Sequence, residues 1–356
     1  MARRADDVGG MRGAVSRKGW VLFAVMCLVW GIPYLFIKVA VGQVSVPVVV
    51  FARTGIGALI LLPLAVRSAR QGGWELDVLR RHWRPLVAFA ALEIIIPWGL
   101  LSQAERKLPS SLAGLLIAAV PIISVVTARL TGGTERLSPR RWAGLIIGLA
   151  GVAVLAAPDL SGGSAVAVVE VLLVALGYAT APLIAARKLA DVPALPMTAA
   201  CLSLGALVWL PPAIVTWPSR VPSGRALGAL VALGVICTAF AFLVFFALIR
   251  EAGTSRAMVF TYVNPAVAVA AGVAFLSEPF TVTIAASFAL ILVGSLLATW
   301  AARSPAGSNP AGSGPDGPGP AGSGPDGPGS AGPEAVSRRR PPRLRSRSSD
   351  PASPVR

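Results

Sequence analysis

The sequence predicts an all-α membrane protein of ten transmembrane helices, from its composition and from the length of its apolar blocks. Of the 356 residues, 55% are hydrophobic and only 13% are charged. A soluble domain of this size needs more charge to cover its surface. The apolar residues form continuous blocks of about twenty, the length at which a helix crosses a hydrocarbon core of about 30 Å. Continuous rather than alternating apolarity predicts helices and not a membrane barrel.

The predicted spans follow one another with short links, so we expect no soluble domain between them. A basic segment, 1–19, precedes the first span, and a tail at 303–356 follows the last. In chain order the ten predicted spans cover residues 20–41, 45–66, 85–104, 110–130, 139–157, 164–185, 195–217, 227–249, 255–275 and 281–301.

Basic residues are unevenly divided between the two predicted sides of the membrane. Of the 32 Lys and Arg residues, 26 lie in the two termini and in every second link, and four lie in the other links. By the positive-inside rule this division predicts that both termini are cytoplasmic. The net charge of +16 therefore orients the chain in a cell membrane and gives no reason to expect a nucleic-acid partner.

The tail combines a short repeat with a composition typical of disorder. Residues 310–319, PAGSGPDGPG, recur unchanged at 320–329, and Ser and Arg dominate after them. Gly, Pro and Ser at this density bury too little apolar surface to offset the entropy cost of ordering. We therefore expect 303–356 to be disordered and cytoplasmic.

A second repeat lies within the apolar region and relates its two halves, 20–157 and 164–301. Residues of the first half recur in order in the second, at an offset of 144 up to the prolines and of 143 beyond them. The matched pairs include Arg106 with Arg250, Ser111 with Ser255, Ala113 with Ala257, Pro121 with Pro265, Glu135 with Glu278, Ser138 with Thr281 and Gly151 with Gly294. Each half has five spans, an odd number, so the second half must be inverted relative to the first. Inverted five-helix repeats are typical of secondary transporters.

Several of these residues together resemble a known family. The first span contains VWGIPYLFIK, Arg53 opens the second span, and each half carries a proline, then a glutamate, then a glycine. In this order they resemble the EamA-type transporters of the drug/metabolite transporter superfamily, over about residues 20–301. The resemblance implies a ten-helix inner-membrane carrier, often an exporter of amino acids, other metabolites or toxic compounds. Glu93, in the third span, is not part of the family's pattern.

Helix-breaking residues lie near the middle of several predicted spans. Gly31 and Pro33 interrupt the first, and Pro121 and Pro265 interrupt corresponding spans of the two halves. A proline removes a backbone donor and frees a carbonyl where no water substitutes unless a cavity is present. A single proline of this kind favours a kink that neighbouring helices absorb. The symmetric pair favours a central substrate site.

Aromatic and polar residues at similar depth are candidates for that site. Aromatic rings with a few hydroxyl or amide groups suit a modest organic ligand that is partly apolar, although any single aromatic residue also fits lipid-facing packing. The substrate-binding candidates are Trp98, Pro121, Tyr178, Thr180, Tyr262, Asn264 and Pro265.

Two cations and one acid within the spans are further candidates. Lys38 lies close to the outer end of its span, where it can reach the headgroups at little cost, so an anchoring role is favoured over a substrate contact. Arg53 lies deeper, in the opening turns of the second span, and both interpretations are open for it. Pairing of Lys38 with an acid such as Glu170 across the outer mouth is a third possibility.

Glu93 lies near the middle of the third span, in FAALEIIIPWGL. Ionisable groups at this depth are costly and usually functional. A carboxyl there can load and release a proton, which is what proton coupling requires. Its partner in the repeat is Cys237, so the symmetry of the fold does not require an acid. The alternative is a protonated Glu93 that donates one hydrogen bond between helices.

Structural roles are expected for two further sets of residues. Glu135 and Glu278 each stand three residues before a helix N-cap candidate, so a role at a helix terminus or as a loop tether is their default. Gly144, Gly148 and Gly151 have the small-xxx-small spacing that permits close contact between helices.

Other functional classes lack their required residues. No G-x-x-x-x-G-K-[ST] loop for ATP occurs, the only histidine, His82, lies in a link, and the three cysteines are scattered singly. An enzyme, a metal site and a bound cofactor are therefore not expected. A facilitative channel or uniporter is the alternative to a carrier. The expected partners are a small-molecule substrate, membrane lipid and a proton, and a homodimer is allowed.

Overall fold

The computed structural model describes residues 16–72, 76–131, 138–161, 164–253 and 257–299. Within these ranges every regular element is helical, which confirms the predicted all-α fold. Residues 1–15 of the basic segment, the tail at 303–356, Ser255 and Glu135 lie outside the described residues.

The first half of the chain consists of helices interrupted by short breaks. Its elements are α1 (Arg17–Gly31), α2 (Pro33–Val41), α3 (Val46–Arg70), α4 (Leu76–Arg81), α5 (Trp83–Ala90), the π-helical segment π1 (Ala91–Ile95), α6 (Ile96–Ala104), α7 (Ser110–Ile117), α8 (Val120–Leu130) and α9 (Pro139–Ser161).

The second half follows the same plan. Its elements are α10 (Ala165–Lys188), α11 (Ala194–Val215), α12 (Gly224–Gly234), the π-helical segment π2 (Val235–Phe240), α13 (Ala241–Ala252), a 3₁₀ segment (Met258–Tyr262), α14 (Asn264–Leu276) and α15 (Val282–Thr299).

Nine helical stretches of the described chain are long and apolar enough to cross a membrane, and all nine overlap predicted spans. The remaining predicted span, 255–275, coincides with the 3₁₀ segment and with α14, an apolar helix of 13 residues. The count of ten, the inverted orientation of the halves and the cytoplasmic termini therefore stay predictions.

The predicted mid-span interruptions are confirmed as breaks between helices. Ile32 separates α1 from α2, directly before Pro33. Pro121 and Pro265 are the second residues of α8 and α14, where a missing N–H removes no helical hydrogen bond. Each of these two helices follows a break, and their first residues are 144 positions apart, the offset of the sequence repeat.

The two π-helical segments are also related by the repeat. Segment π1 begins at Ala91 and π2 at Val235, again 144 residues apart. The wider π turn frees backbone carbonyls, and side chains satisfy two of them. Trp209 Nε1 donates to the Ile95 carbonyl at 3.1 Å, and Thr238 Oγ1 donates to the Leu233 carbonyl at 2.8 Å. Such segments are frequent at functional sites.

Helix packing follows a two-fold pattern between the halves. Three helices pack against their own repeat partners: α3 on α11, α9 on α15 and α7 on α14. Other large contacts also cross between the halves: α6 packs on α10, α1 packs on α13 and α2 packs on α12. Every major contact therefore joins one half to the other, and neither half has a separate core.

Small residues bring α9 and α15 into backbone contact, as the small-xxx-small spacing predicts. A Cβ atom on Gly294 would collide with the Gly148 backbone and would lie 2.7 Å from the Gly144 carbonyl oxygen. A Cβ atom on Gly144 would in turn meet the Gly294 carbonyl oxygen at 2.8 Å. The predicted role of these glycines in close helix contact is confirmed.

We expect Gly294→Ala to destabilise the protein, because the added methyl group must push two backbones apart. Overpacking of this kind costs about 1–3 kcal/mol. Thermal unfolding of the purified protein in detergent measures the effect. Gly228→Ala is the matched control, because a Cβ there meets nothing within 4 Å. An equal melting temperature for the two variants would contradict the close contact.

Candidate functional site

A buried arginine lies where the two halves meet. Arg53, on α3, is only 7% exposed. Its guanidinium carbon lies 3.6 Å above the centroid of the Trp98 ring, on α6. Its Nε donates a hydrogen bond to Thr238 Oγ1, on π2, at 3.1 Å. The stack and the hydrogen bond hold the guanidinium in one plane.

The π-helical segments position both contacts of Arg53. The Thr238 hydroxyl gives its only proton to the Leu233 carbonyl, so its lone pairs remain for the Arg53 N–H group. Trp98 follows π1 by three residues, directly after Pro97. Close packing holds these elements together: a Cβ on Gly57 would meet Thr238 Cγ2 at 2.7 Å.

Polar groups from both halves surround Arg53. The groups that act on it electrostatically are Tyr178 on α10, Cys237 on π2, Tyr34 on α2 and Glu105. Tyr178 also packs against the hydrophobic cluster that contains Trp98. This set, Arg53, Trp98, Thr238, Tyr34 and Tyr178, is called the Arg53 cluster below. It combines a cation, two phenols, an indole and a hydroxyl, groups that suit a partly apolar organic ligand.

The charge of Arg53 is poorly compensated. Within the described part of the chain, no carboxylate forms an ion pair with it. Taking an ion out of water costs several kcal/mol, whereas a desolvated cation–π contact returns only about 2 kcal/mol. Ionisable groups inside a membrane domain are usually functional for this reason. An anionic group of a ligand would supply the missing charge.

Glu93 lies near Tyr178, a member of the Arg53 cluster. It belongs to π1, and it acts electrostatically on Tyr178 and on Cys201. Its Oε2 atom is buried and has no hydrogen-bond partner. Tyr178 thus lies within electrostatic range of both Arg53 and Glu93. The hydrogen bond between helices that was the alternative role for Glu93 is not made by this oxygen.

The structure brings together some of the predicted site residues and separates others. Trp98 and Tyr178 join the Arg53 cluster. Thr180 Oγ1 donates to the Leu176 carbonyl of its own helix at 2.7 Å, and the Tyr262 hydroxyl pairs with Thr299 Oγ1 at 2.6 Å.

Asn264 also makes its hydrogen bonds outside the Arg53 cluster. Its amide nitrogen, placed by its hydrogen-bond partners, donates to the carbonyls of Phe260 at 3.1 Å and Cys27 at 3.2 Å. These bonds tie the start of α14 to α1. Pro121 and Pro265 set the starts of α8 and α14 and contribute no polar group.

Lys38 contacts a turn of the chain. Its Nζ donates to the carbonyls of Glu105 at 2.7 Å and Leu108 at 2.8 Å. The expected anchoring at the headgroups and the suggested pair with Glu170 stay predictions. The charge that acts on Glu170 is that of Lys107. The sequence showed the position of Lys38 but not the loop that folds over it.

Glu278 caps the N-terminus of α7. Its Oε1 accepts from the Ser110 N–H at 2.7 Å and its Oε2 accepts from the Ser111 N–H at 2.9 Å. Burial raises the pKa of this carboxyl, but the hydrogen bonds from Ser111 and Ser110 outweigh burial and hold the pKa below its usual range. The expected role at a helix terminus is therefore confirmed, although the capped helix belongs to the other half. We refer to this contact as the Glu278 cap.

Three residues of importance were missed by the sequence analysis: Thr238, Tyr34 and Glu105. Tyr34 lies within the VWGIPYLFIK motif, and its position in that motif could have identified it as a site candidate. Glu105 directly precedes Arg106 and Lys107 and so resembles an ordinary solvated link. Thr238 carries no signal, because its repeat partner, Ile94, is apolar.

A separate groove of about 490 Å³ lies at the break between α1 and α2. Its lining is apolar apart from Arg225, with Leu28, Ile32, Phe36 and Phe275 among the contributors. It offers few groups that could recognise a polar solute, so the Arg53 cluster is the better candidate site.

The comparisons with known proteins agree with this architecture. The EamA-like transporter family matches the chain twice, over residues 17–157 and 165–300. The uncharacterized transporter YvbV of Bacillus subtilis (strain 168) is 26% identical over 284 residues, which are 78% of this chain and 90% of the relative. The uncharacterized inner membrane transporter YedA of Escherichia coli (strain K12) is 27% identical over 259 residues, 70% of this chain and 80% of the relative.

A solved crystal structure has the same fold. It superposes with a TM-score of 0.58 at 24% identity, over 80% of this chain and 98% of the other. Apolar helices of membrane-spanning length and a duplicated domain define a multi-pass membrane protein. The chain belongs to the EamA-like transporter family.

We expect Gly272→Ala to disrupt the Glu278 cap, because a Cβ at Gly272 would collide with Glu278 Oε2 and approach Ser110 Oγ to 3.0 Å. Loss of a helix cap typically costs about 1 kcal/mol. A double-mutant cycle with Glu278→Gln, measured by thermal unfolding, tests this expectation. If both variants act through the cap, their combined effect is smaller than the sum. Strictly additive losses would show that Gly272 acts elsewhere.

Proposed function

We propose that the protein is a secondary active transporter that exports small organic metabolites, amino acids or drugs across the inner membrane, with the Arg53 cluster as its substrate site. The observation that carries the proposal is the buried Arg53 guanidinium, stacked on Trp98 and without a carboxylate partner in the described chain. A buried cation with this geometry recognises a carboxylate or another anionic group of a substrate.

The position of the cluster supports transport rather than static binding. Its residues come from both halves, and the repeat interface is where secondary transporters bind their substrates. The breaks before α8 and α14 and the segments π1 and π2 occur at matching positions. Interruptions of this kind are places where packed helices can bend. A pair of related bends gives two related conformations, each opening the cluster to one side.

Proton coupling through Glu93 is the second part of the proposal. Glu93 has a buried oxygen without a partner, and both Glu93 and Arg53 act electrostatically on Tyr178. A proton on Glu93 and an anion on Arg53 would both change the charge close to Tyr178. The two binding events can therefore influence each other over a short distance.

A facilitative channel or uniporter is the alternative function. A channel does not require a substrate anion to neutralise the charge of Arg53, and it does not require protonation of Glu93. Counterflow separates a carrier from a channel, because only a carrier accumulates labelled substrate in vesicles that are preloaded with unlabelled substrate when no ion gradient is present. Uphill transport on an imposed pH gradient separates a secondary active transporter from a uniporter, which also shows counterflow. A screen of metabolite export by cells lacking and overproducing the protein identifies the substrate for this assay.

We expect Arg53→Gln to reduce counterflow at least about tenfold, because removing one partner of a buried charge pair costs about 2–5 kcal/mol. Arg53→Lys should keep part of the activity, since an ammonium group retains the charge but not the planar stack. Counterflow in proteoliposomes measures both. Arg225→Gln, at an exposed position, is the control and should stay within about twofold of wild type. Wild-type substrate affinity in Arg53→Gln would contradict the site.

We expect Glu93→Gln to abolish transport driven by a pH gradient while sparing substrate exchange. Glutamine keeps the size of the side chain and its hydrogen-bonding capacity but cannot carry the proton. Flux with and without an imposed pH gradient measures the two activities. Asp77→Asn, at an exposed acid of α4, is the control and should keep both. Uphill transport by Glu93→Gln on a proton gradient would exclude Glu93 as the coupling residue.

A further inference from the structure

Glu105 is a buried acid that the proposed function does not use. It follows the last residue of α6, and its exposed fraction is 0%. Both of its carboxylate oxygens are buried and lack a hydrogen-bond partner. A carboxylate that is charged in such a place is strongly destabilised, whereas a protonated carboxyl is tolerated.

Charged and titratable groups from several elements face Glu105. They are Lys38 and Tyr34 on α2, Arg53 on α3, and Glu278 in the link before α15. Lys38 is the nearest source of compensation, but its hydrogen bonds go to the main-chain carbonyls of Glu105 and Leu108. The Glu105 side chain therefore receives no hydrogen bond from it.

Glu105 and the Glu278 cap lie at the two ends of one short turn. The turn runs from Glu105 to Ser110, the first residue of α7. Lys38 fixes the turn through its carbonyls, and Glu278 fixes its end through the N–H groups of Ser110 and Ser111. A change at Glu105 is thus transmitted to the cap both through the turn and through space.

We propose that Glu105 is a proton-binding site that controls the Glu278 cap on α7. While the proton is bound, Glu105 is a neutral buried carboxyl and the cap stays closed, with both hydrogen bonds to Glu278 in place. When the Glu105 O–H bond breaks, the proton passes to water that enters at this end of the bundle. Two carboxylates then face each other, and the Lys38 ammonium group is drawn from the turn carbonyls towards Glu105. Both changes weaken the cap and release α7.

The direction of the effect follows from the charges. Burial raises the pKa of Glu105 well above its ordinary value, Lys38 and Arg53 oppose this rise, and Glu278 adds to it. The protonated form therefore persists at pH values at which exposed carboxyls are charged. Raising the pH should open the cap, and lowering it should close it. The released helix packs against α14 and lies beside Tyr34 of the Arg53 cluster, so the same step would admit water and solutes towards Arg53.

The proposal rests on the proposed transport function only for the biological role of the switch. The proton site and the cap themselves are measured without substrate. Failure of the proposed function would appear as absent counterflow in the wild type. Failure of the present proposal would leave counterflow intact and remove only the pH response of the cap. The two failures are therefore distinguishable.

Amide hydrogen exchange over residues 108–117 of the purified full-length protein tests the cap. With wild type and variants compared at each pH, wild-type exchange should rise about five- to thirtyfold relative to Glu105→Gln as the pH increases. Glu105→Gln should stay protected throughout, and Glu278→Gln should be unprotected throughout. Asp77→Asn, at an exposed acid of α4, is the control and should behave as wild type. An unchanged pH response in Glu105→Gln would overturn the proposal.

Infrared spectroscopy provides a second measurement that does not depend on folding of the Glu105 variant. A carboxylic-acid band should be present in Glu93→Gln at neutral pH and disappear at alkaline pH. Absence of that band would overturn the proposal. Repeating the exchange experiment in sodium and in potassium buffers tests a metal cation as the ligand. A response to sodium at constant pH would replace the proton site by a sodium site and also overturn the proposal.

Discussion

The cost of holding the Arg53 guanidinium away from water constrains the rest of the site. The side chain is fixed by a stack on Trp98 and by one hydrogen bond to Thr238, and neither contact neutralises its charge. Those two partners come from different halves of the chain, so the charge can be tolerated only while the halves are packed together. The uncompensated charge destabilises the empty protein, and the same charge attracts a ligand anion that binds there.

Matching interruptions in the two halves make such a site possible. Trp98 follows π1 and Thr238 lies in π2, so both contacts of Arg53 come from these segments or their immediate neighbours. The breaks before α8 and α14 divide the helices that carry Pro121 and Pro265. Glycine contacts such as Gly144 with Gly294 hold the neighbouring helices at backbone distance. The glycine contacts keep neighbouring helices together, and the helix breaks and π-helical segments allow bending between them. This combination lets whole helices move as rigid bodies around a fixed site.

The sequence predicted the features that depend on local chemistry and missed those that depend on which helices meet. Apolar length identified the spans, and the missing N–H of Pro121 and Pro265 marked the breaks. The partners of Arg53 lie far along the chain, 185 residues away in the case of Thr238, and no periodicity reveals such a pairing. Glu105 resembled an ordinary link residue, because burial of a turn is decided by the helices around it. Glu278 was placed at a helix terminus correctly, but on the wrong helix.

The central claim is that the Arg53 cluster opens alternately to the two sides of the membrane. Cys237 lies beside Arg53 and is buried, with 1% exposure, so it can report access. With Cys27 and Cys201 replaced by Ala, its reaction with a membrane-impermeant maleimide can be followed in right-side-out and inside-out vesicles. The account predicts labelling from either side under different conditions but never from both sides at once. Labelling from both sides together would indicate a channel, and protection from both sides during active transport would show that Arg53 belongs to a sealed structural core.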